Sequence, residues 1–166
     1  YGSAAAVNEN TSPSPEPDRQ KLRVEAEQAV QSGPWKSLTL RPAAIYGPGR
    51  GVQAALPEGK YKLAGDGSNF ASRIHVDDLA AISAAGLLST LTGAFPVADE
   101  EPCSSREIAE FCADLLGLGP VESVSSDELS ETRRSDRRVD GRAIRKQLGV
   151  TLQYPSYRQG IPASLA

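Results

Sequence analysis

The sequence contains no methionine, a single histidine and only two cysteines among its 166 residues. Cys103 and Cys112 are too few for a disulfide framework, and their spacing matches no zinc knuckle. No apolar run approaches the length of a membrane-spanning helix, and no signal peptide opens the chain. We therefore expect the cytoplasm or another reducing compartment, such as an organelle stroma, rather than secretion, and no membrane partner.

Methionine is missing even at position 1, where the chain starts with Tyr1 and Gly2. This start predicts a fragment or a processed product of a longer protein. The length is that of about one domain. Apolar residues make up 39% of the chain and charged residues 23%, which is ordinary for a globular protein.

The chain lacks an excess of positive charge, because its 18 basic residues are outnumbered by 21 acidic ones and the formal net charge is −3. This balance argues against a general affinity for nucleic acid. Acids dominate residues 99–131, whereas arginines dominate residues 133–146. The arginine-rich segment predicts either a polyanion-binding patch or a solvated surface that neutralises the neighbouring acids. The second interpretation is favoured, since no aromatic residues lie between the arginines.

Helical and extended patterns alternate along the chain. Helices are predicted over residues 18–33, from about Asp78 to Leu91, over residues 104–117, near residues 140–148 and in the final segment. Strands are predicted over Leu38 to Leu40, ending in a turn at Pro42, and over residues 93–99. The alternation predicts an α/β fold with an at least partly parallel sheet.

Two of these helices carry clear local signals. In the helix after residue 104, Ser104 and Glu107 form a capping-box pattern and Gly117 supplies the stop. Its expected buried stripe consists of Ile108, Phe111, Cys112, Leu115 and Leu116, so Cys112 is interpreted as a core residue. The first helix has an apolar side made of Leu22, Ala26, Ala29 and Val30.

The only histidine, His75, is followed closely by Asp77 and Asp78. A metal or acid–base site is one interpretation, but adjacent aspartates diverge around a helix axis and make a poor ligand set. Entry to a helix is favoured, with Asp77 accepting from free backbone N–H groups and Asp78 at the positive end of the dipole. No metal site is predicted.

The glycine-rich stretch Gly47–Gly51 follows a predicted strand. Its spacing, G-x-G-x-G, does not match the dinucleotide fingerprint, and no amphipathic helix follows it directly. We therefore interpret it as a turn.

Four stretches occur in the order "LRPAAIYGPGR", "SRIHVDDLA", "FPVADEEPCSSREIAEFCADLLGLGP" and "QLGVTLQYPSYRQGI". Together they resemble the C-terminal half of an extended short-chain dehydrogenase/reductase of the NAD-dependent epimerase/dehydratase family, YeeZ-like subgroup. The resemblance implies the C-terminal part of a Rossmann-type doubly wound parallel sheet with small substrate-domain elements. Residues 1–166 would then be a partial NAD(P)-binding domain without its N-terminal dinucleotide-binding half. Tyr1 and Gly2 resemble the end of the family's S-x-x-V-Y-G stretch.

The resemblance also implies an NAD(P)-dependent oxidoreductase, but the family's Tyr-x-x-x-Lys pair is incomplete. Taking Lys21 as the catalytic lysine puts Pro17 at the tyrosine position, and the alternative register puts Arg19 and Arg23 at the two positions. Neither register has the phenol that exchanges a proton during hydride transfer. An atypical site is therefore expected.

By the same resemblance, Pro42, Ala43 and Ala44 pass near the nicotinamide of NAD or NADP in the intact protein. Tyr46, Arg50 and Arg73 face a cleft for a small-molecule substrate, at the carboxyl ends of strands. The sugar-nucleotide enzymes of the family usually have asparagine where this chain has Ala44, and their phosphate-binding arginine corresponds to Ala71.

Two functions remain open. The intact protein is either an epimerase, dehydratase or reductase with a modified proton relay, or a non-catalytic dinucleotide-binding sensor or scaffold. The present chain is expected to bind dinucleotide weakly. Its sheet is expected to have an exposed edge that favours pairing with another chain.

Overall fold

The computed structural model describes residues 4–166, apart from the side chain of Thr132. Tyr1 and Gly2, compared above with a family stretch, lie outside the described residues. The strands are β1 (Ala6–Val7), β2 (Leu38–Pro42), β3 (Ala44–Tyr46), β4 (Leu63–Ala64), β5 (Phe70–Ala71), β6 (Arg73–His75), β7 (Gly93–Val97), β8 (Cys103–Ser104), β9 (Ser123–Val124) and β10 (Arg138–Val139). The helices are α1 (Asp18–Gln31), α2 (Val52–Ala55), α3 (Val76–Leu87), α4 (Ser105–Leu116), α5 (Glu131–Arg134), α6 (Arg142–Leu148) and α7 (Tyr157–Leu165), with a 3-10 turn at Ser126–Glu128.

β2 and β3 form one extended path that changes its partner midway. β2 pairs in parallel with β7, and β3 pairs in parallel with β6. Between them the Ala43 N–H donates to the Val97 carbonyl (2.9 Å) and the Ala44 N–H to the Ser72 carbonyl (3.2 Å). The predicted turn at Pro42 is therefore wrong. Proline has no N–H to donate, but its fixed φ is compatible with an extended strand end.

Two apolar clusters form the core. One lies between the β2, β6 and β7 strands and helices α3 and α6, and consists of Ile74, Ile82, Phe95, Val97, Ile144 and Leu152. The other lies around α4 and α7 and consists of Tyr46, Cys103, Ile108, Cys112, Tyr157 and Ile161. Parallel strands covered by helices confirm the predicted α/β class.

The remaining strands are short ladders between distant segments. β1 pairs with β10 and β4 with β9, both in parallel, whereas β5 and β8 are antiparallel. The excursion that supplies β4 and β5 turns at Gly59, Gly65 and Gly67, each with a positive φ of 57–70°. Glycine adopts a positive φ without steric cost, which explains its use at these three turns.

Helix α4 has the predicted caps. The Ser104 hydroxyl accepts from the Glu107 N–H (3.1 Å), and the Glu107 carboxylate accepts from the Ser104 N–H (2.8 Å). Gly117 ends the helix in the left-handed conformation. Cys112 is fully buried, as predicted, but Leu115 is 45% exposed. The helix is rotated so that small residues, Ala109 and Ala113, share the buried face.

Helix α1 has no buried residue, and Leu22 on its apolar side is 64% exposed. An ion pair from Arg41 in β2 to Glu27 (2.7 Å) joins the helix to the sheet. Within residues 4–166 the second edge of β2 has no strand partner, because β7 is its one neighbour there. This unpaired edge of β2 corresponds to the exposed sheet edge that is expected from the sequence.

Candidate functional site

We use the word crevice for the place, at Pro42–Ala44, where the β2–β3 path changes partner. The side chains of Pro42 and Ala44 are exposed, and Ala43 is half-buried. In open parallel sheets, ligands bind outside the carboxyl ends of strands at the point where neighbouring connections diverge. The three residues predicted to lie near a cofactor therefore form an open edge of small side chains.

A buried polar group lies beside this crevice, at the beginning of β6. The Ser72 hydroxyl accepts from the Val139 N–H (2.7 Å). Arg73 is 6% exposed, and its Nη1 donates to the Ala71 carbonyl (2.9 Å) and the Cys103 Sγ (3.0 Å). No carboxylate of the described chain lies within ion-pair distance of Arg73. A nearly buried cation is thus held by neutral acceptors.

Asp99 follows β7 directly, and its N–H donates to the Arg73 carbonyl (2.7 Å). Its side chain is buried, and neither oxygen has a well-formed hydrogen bond within residues 4–166. Burial raises the pKa of Asp99 to about 7, opposed by Arg73 and by the Glu101 backbone N–H. A carboxyl group of this kind exchanges its proton near neutral pH. Asp99 is not among the residues predicted from the sequence, although its place at the carboxyl end of a buried strand is typical of a functional residue.

A cleft of about 560 Å³ opens between β1, the loop after β7, β10 and the start of α6. We call it the β1–β10 cleft. Its charged lining residues are Asp99, Glu100, Arg138, Asp140, Arg142 and Arg145. Arg142 pairs with Asp140 (2.6 Å) and Arg145 with Glu100 (2.6 Å). The Arg142 guanidinium holds the pKa of Asp140 below its ordinary value through a side-chain hydrogen bond.

The rest of the arginine-rich segment is also engaged with the chain. Arg134 pairs with Asp127 (3.4 Å), and the Arg138 guanidinium lies 3.5 Å from the centre of the Phe70 ring. The Arg134–Asp127 pair is of the kind that the neutralising interpretation predicts, whereas the Arg138–Phe70 contact involves no acid.

Tyr46 and Arg50, predicted to face a substrate, lie in different environments. Tyr46 is buried in the α4–α7 cluster, and its hydroxyl donates weakly to the Ser156 carbonyl (3.5 Å). Burial raises the pKa of this phenol well above its ordinary value. Arg50 is exposed and donates to the Ile45 carbonyl (3.2 Å). No hydrogen bond joins Tyr46, Arg50 and Arg73 to one another in the described part of the chain.

The Gly47–Gly51 stretch is a turn, as predicted. Gly47 and Arg50 exchange backbone hydrogen bonds of 2.9 and 3.0 Å, and Gly49 has a φ of +68°. The Gln53 amide donates to both of their carbonyls, which fills the inside of the turn. Because the turn satisfies its own polar groups and leads into the four-residue helix α2, it offers no cradle for phosphates.

His75 caps helix α3, which begins two residues earlier than predicted. Its Nδ1 accepts from the Asp77 N–H (3.2 Å), which leaves the proton on Nε2 for the contact with the Ser164 Oγ (3.1 Å). The ring is buried against Tyr46 and Tyr154. The helix-entry interpretation is confirmed, but the capping residue is His75 and not Asp77.

Asp78 has a different role from the one predicted. It is 2% exposed, and its two oxygens accept from the N–H groups of Gln153 (2.7 Å) and Tyr154 (3.0 Å). The carboxylate therefore fastens the segment before α7 to the start of α3.

Lys21 lies on the exposed surface of α1, with its Nζ 3.3 Å from Asp18. Pro17, at the position of the family tyrosine, is the N-cap residue of the helix and offers no hydroxyl. No hydrogen bond joins Lys21 to a hydroxyl group within residues 4–166.

Among the described residues there is no cluster of three histidine, cysteine, aspartate or glutamate side chains that could hold a metal ion. None of the helices in residues 4–166 has both the length and the apolar character needed to cross a membrane.

No protein-family model matches the chain. A functionally unknown conserved protein from Silicibacter pomeroyi is 35% identical, with a TM-score of 0.87 over 99% of this chain and 62% of that one. The 3-diazoavenalumate denitrifying reductase of a Streptomyces species is 27% identical over 151 residues, covering 82% of this chain and 50% of that protein. The human epimerase family protein SDR39U1, solved with NADPH, has a TM-score of 0.82 at 17% identity, over 99% of this chain and 61% of that one.

Further solved structures with the same fold contain NAD, one of them together with UDP-glucose. The chain spans about half to three fifths of the length of the proteins that it matches.

Proposed function

Because the chain has the fold of the C-terminal part of an extended short-chain dehydrogenase/reductase of the NAD-dependent epimerase/dehydratase type, we propose that the intact protein is an NAD(P)-dependent oxidoreductase. Its substrate would be a small molecule bound beside the crevice at Pro42–Ala44. The observation that carries this proposal is the exposed partner switch of the β2–β3 path next to the buried Arg73 and Asp99.

The residues at the crevice fit one end of a dinucleotide. Pro42, Ala43 and Ala44 have small side chains, so a flat nicotinamide ring could lie against the strand edge without steric conflict. The phosphates find no matching turn within residues 4–166, since the Gly47–Gly51 turn is closed by its own hydrogen bonds. A bound dinucleotide would supply hydride chemistry, while the chain would supply position and proton exchange. We therefore expect weak dinucleotide binding by residues 4–166 alone.

Proton exchange at the substrate has to proceed without the family tyrosine. Lys21 is the candidate for the catalytic lysine, and it lies on the exposed surface beside Asp18. Arg50 and Arg73 are the candidates for substrate contact, whereas Tyr46 is buried in the α4–α7 cluster. Because Arg73 retains donors that no carboxylate in the described chain neutralises, it is the stronger of the two.

The test is a calorimetric titration of NAD(H) and NADP(H). It is run on the 166-residue chain and, in parallel, on a form that carries any residues encoded before Tyr1. Ala44→Trp should abolish binding by filling the crevice, whereas Ala84→Trp, at an exposed position on α3, should leave it unchanged. Equal binding by both variants would contradict the crevice assignment, and absence of binding by every form would contradict the dinucleotide assignment.

A non-catalytic dinucleotide-binding sensor or scaffold is the second candidate. The presence of Pro17 at the tyrosine position favours it, because no phenol is available for the usual proton transfer. A turnover assay with Lys21→Ala and Arg19→Ala variants separates the two functions. A rate that falls in either variant supports catalysis, whereas unchanged traces count against these residues as the acid–base pair.

A further inference from the structure

We propose that the β1–β10 cleft accepts a small organic substrate that carries no phosphate or diphosphate group. The inference rests on the proposed function, because the cleft includes Asp99 of the site proposed there and the inference names the class of its substrate. It follows from the state of the arginines in the cleft, each of which is already engaged by a group of this chain.

Arg142 is held by the most complete of these contacts. Its Nε lies 2.9 and 3.1 Å from the two oxygens of Asp140, and its Nη2 lies 2.6 Å from one of them. The same carboxylate accepts from the Arg142 N–H (3.0 Å). A guanidinium binds phosphate through two parallel N–H donors, and in Arg142 these donors already bind a carboxylate.

Arg145 is engaged from two sides. Its Nη1 donates to Glu100 (2.6 Å), and its Nε donates to the Gly141 carbonyl (3.4 Å). Its side chain is only 10% exposed, so the guanidinium cannot turn toward a ligand without leaving Glu100.

Arg138, the third cation, lies over the Phe70 ring at 3.5 Å and 3.9 Å from Asp136. Two of the three arginines in the lining thus pair with the lining carboxylates Asp140 and Glu100, and the third lies against an aromatic ring. A diphosphate would bring two or more negative charges to a surface where each arginine is already engaged, and it would have to compete with these two carboxylates.

The experiment removes the carboxylates that pair with Arg142 and Arg145 and measures the resulting change in affinity for phosphate compounds. The double variant Glu100→Gln/Asp140→Asn neutralises both carboxylates with side chains of the same shape. The matched control, Glu122→Gln/Asp127→Asn, breaks the surface pairs Lys62–Glu122 and Arg134–Asp127, and it changes the net charge by the same amount. Inorganic pyrophosphate and UDP are titrated by calorimetry into the wild type and both variants, and circular dichroism verifies that each is folded.

We expect weak and equal binding by the wild type and the control, and at least about tenfold tighter binding by the cleft variant, the gain that one freed charge-assisted bond provides. Wild-type binding as tight as that of the cleft variant would overturn the inference. An equal gain in the control, or no gain in a folded cleft variant, would overturn it too. The result is independent of the NAD(P) titration, so failure of the proposed function is recognised separately.

Discussion

Replacing Asp78 by asparagine probes the contact that joins the start of α3 to the segment before α7. The carboxylate is buried and accepts from two backbone N–H groups, those of Gln153 and Tyr154. Asparagine has the same shape but only one acceptor oxygen. Whichever way the amide is turned, its NH₂ group faces a backbone N–H, and one donor remains without a partner.

The size of the effect follows from these two bonds. Each hydrogen bond to a charged group is worth about 1.5–3 kcal/mol, and a buried donor without an acceptor costs about 1–3 kcal/mol. Asparagine keeps one bond in its weaker neutral form and avoids burying a charge. We therefore expect Asp78→Asn to lower the free energy of unfolding by roughly 3 kcal/mol. For a chain of this length the melting temperature should fall by about 6–12 °C.

Asp77→Asn is the matched control, because the Asp77 side chain is 61% exposed in the same helical turn. It loses a favourable contact with the helix dipole and the exposed carboxylate's 3.6 Å approach to the His75 Nδ1, so the expected loss is less than about 1 kcal/mol. Urea denaturation followed by circular dichroism measures both variants. If the two differ by less than about 1 kcal/mol, the two backbone contacts of Asp78 do not stabilise the fold and the reasoning is refuted.

Three further outcomes are expected. The pKa of Asp99 is raised to about 7, above its unfolded value near 4, so its stabilising contribution is present at low pH and is lost as the pH rises through this interval. The free energy of unfolding of Asp99→Asn, measured by urea denaturation between pH 4 and 8, should therefore depend less on pH than that of the wild type. The same pH dependence in both proteins would contradict the raised pKa of Asp99. Gly160→Ala places its Cβ in steric conflict with the Tyr46 hydroxyl and should cost about 1–3 kcal/mol, of which Tyr46→Phe should restore a part. Additive losses from the two substitutions in a thermal melt would argue against the conflict. Burial raises the pKa of the Cys103 thiol, and it raises the pKa of the Cys112 thiol to about 12. Iodoacetamide should therefore modify both cysteines only after unfolding, which mass spectrometry can measure. Rapid labelling of the native chain would contradict this prediction.

The sequence pointed to some residues of the candidate site and gave no indication of others, for physical reasons. The resemblance led to Pro42, Ala43 and Ala44, and these residues lie together at the open edge where the strand changes partner. Asp99 escaped notice because its pKa depends on burial by segments that are far away in the chain. The sequence places Leu22, Ala26, Ala29 and Val30 on one side of α1, but it does not indicate that the helix has no buried residue, because burial depends on what packs against it.

Local sequence alone determined the features that depend on neighbours within about four residues. The capping box of Ser104 and Glu107, the stop at Gly117 and the Gly47–Gly51 turn are of this kind, since their hydrogen bonds close over a single turn. The tertiary structure decided the partner switch after Pro42, the different environments of Asp77 and Asp78, and the pairing of arginines with acids in the β1–β10 cleft. These depend on which distant backbone or carboxylate arrives beside a residue, and burial then sets the strength of the contact.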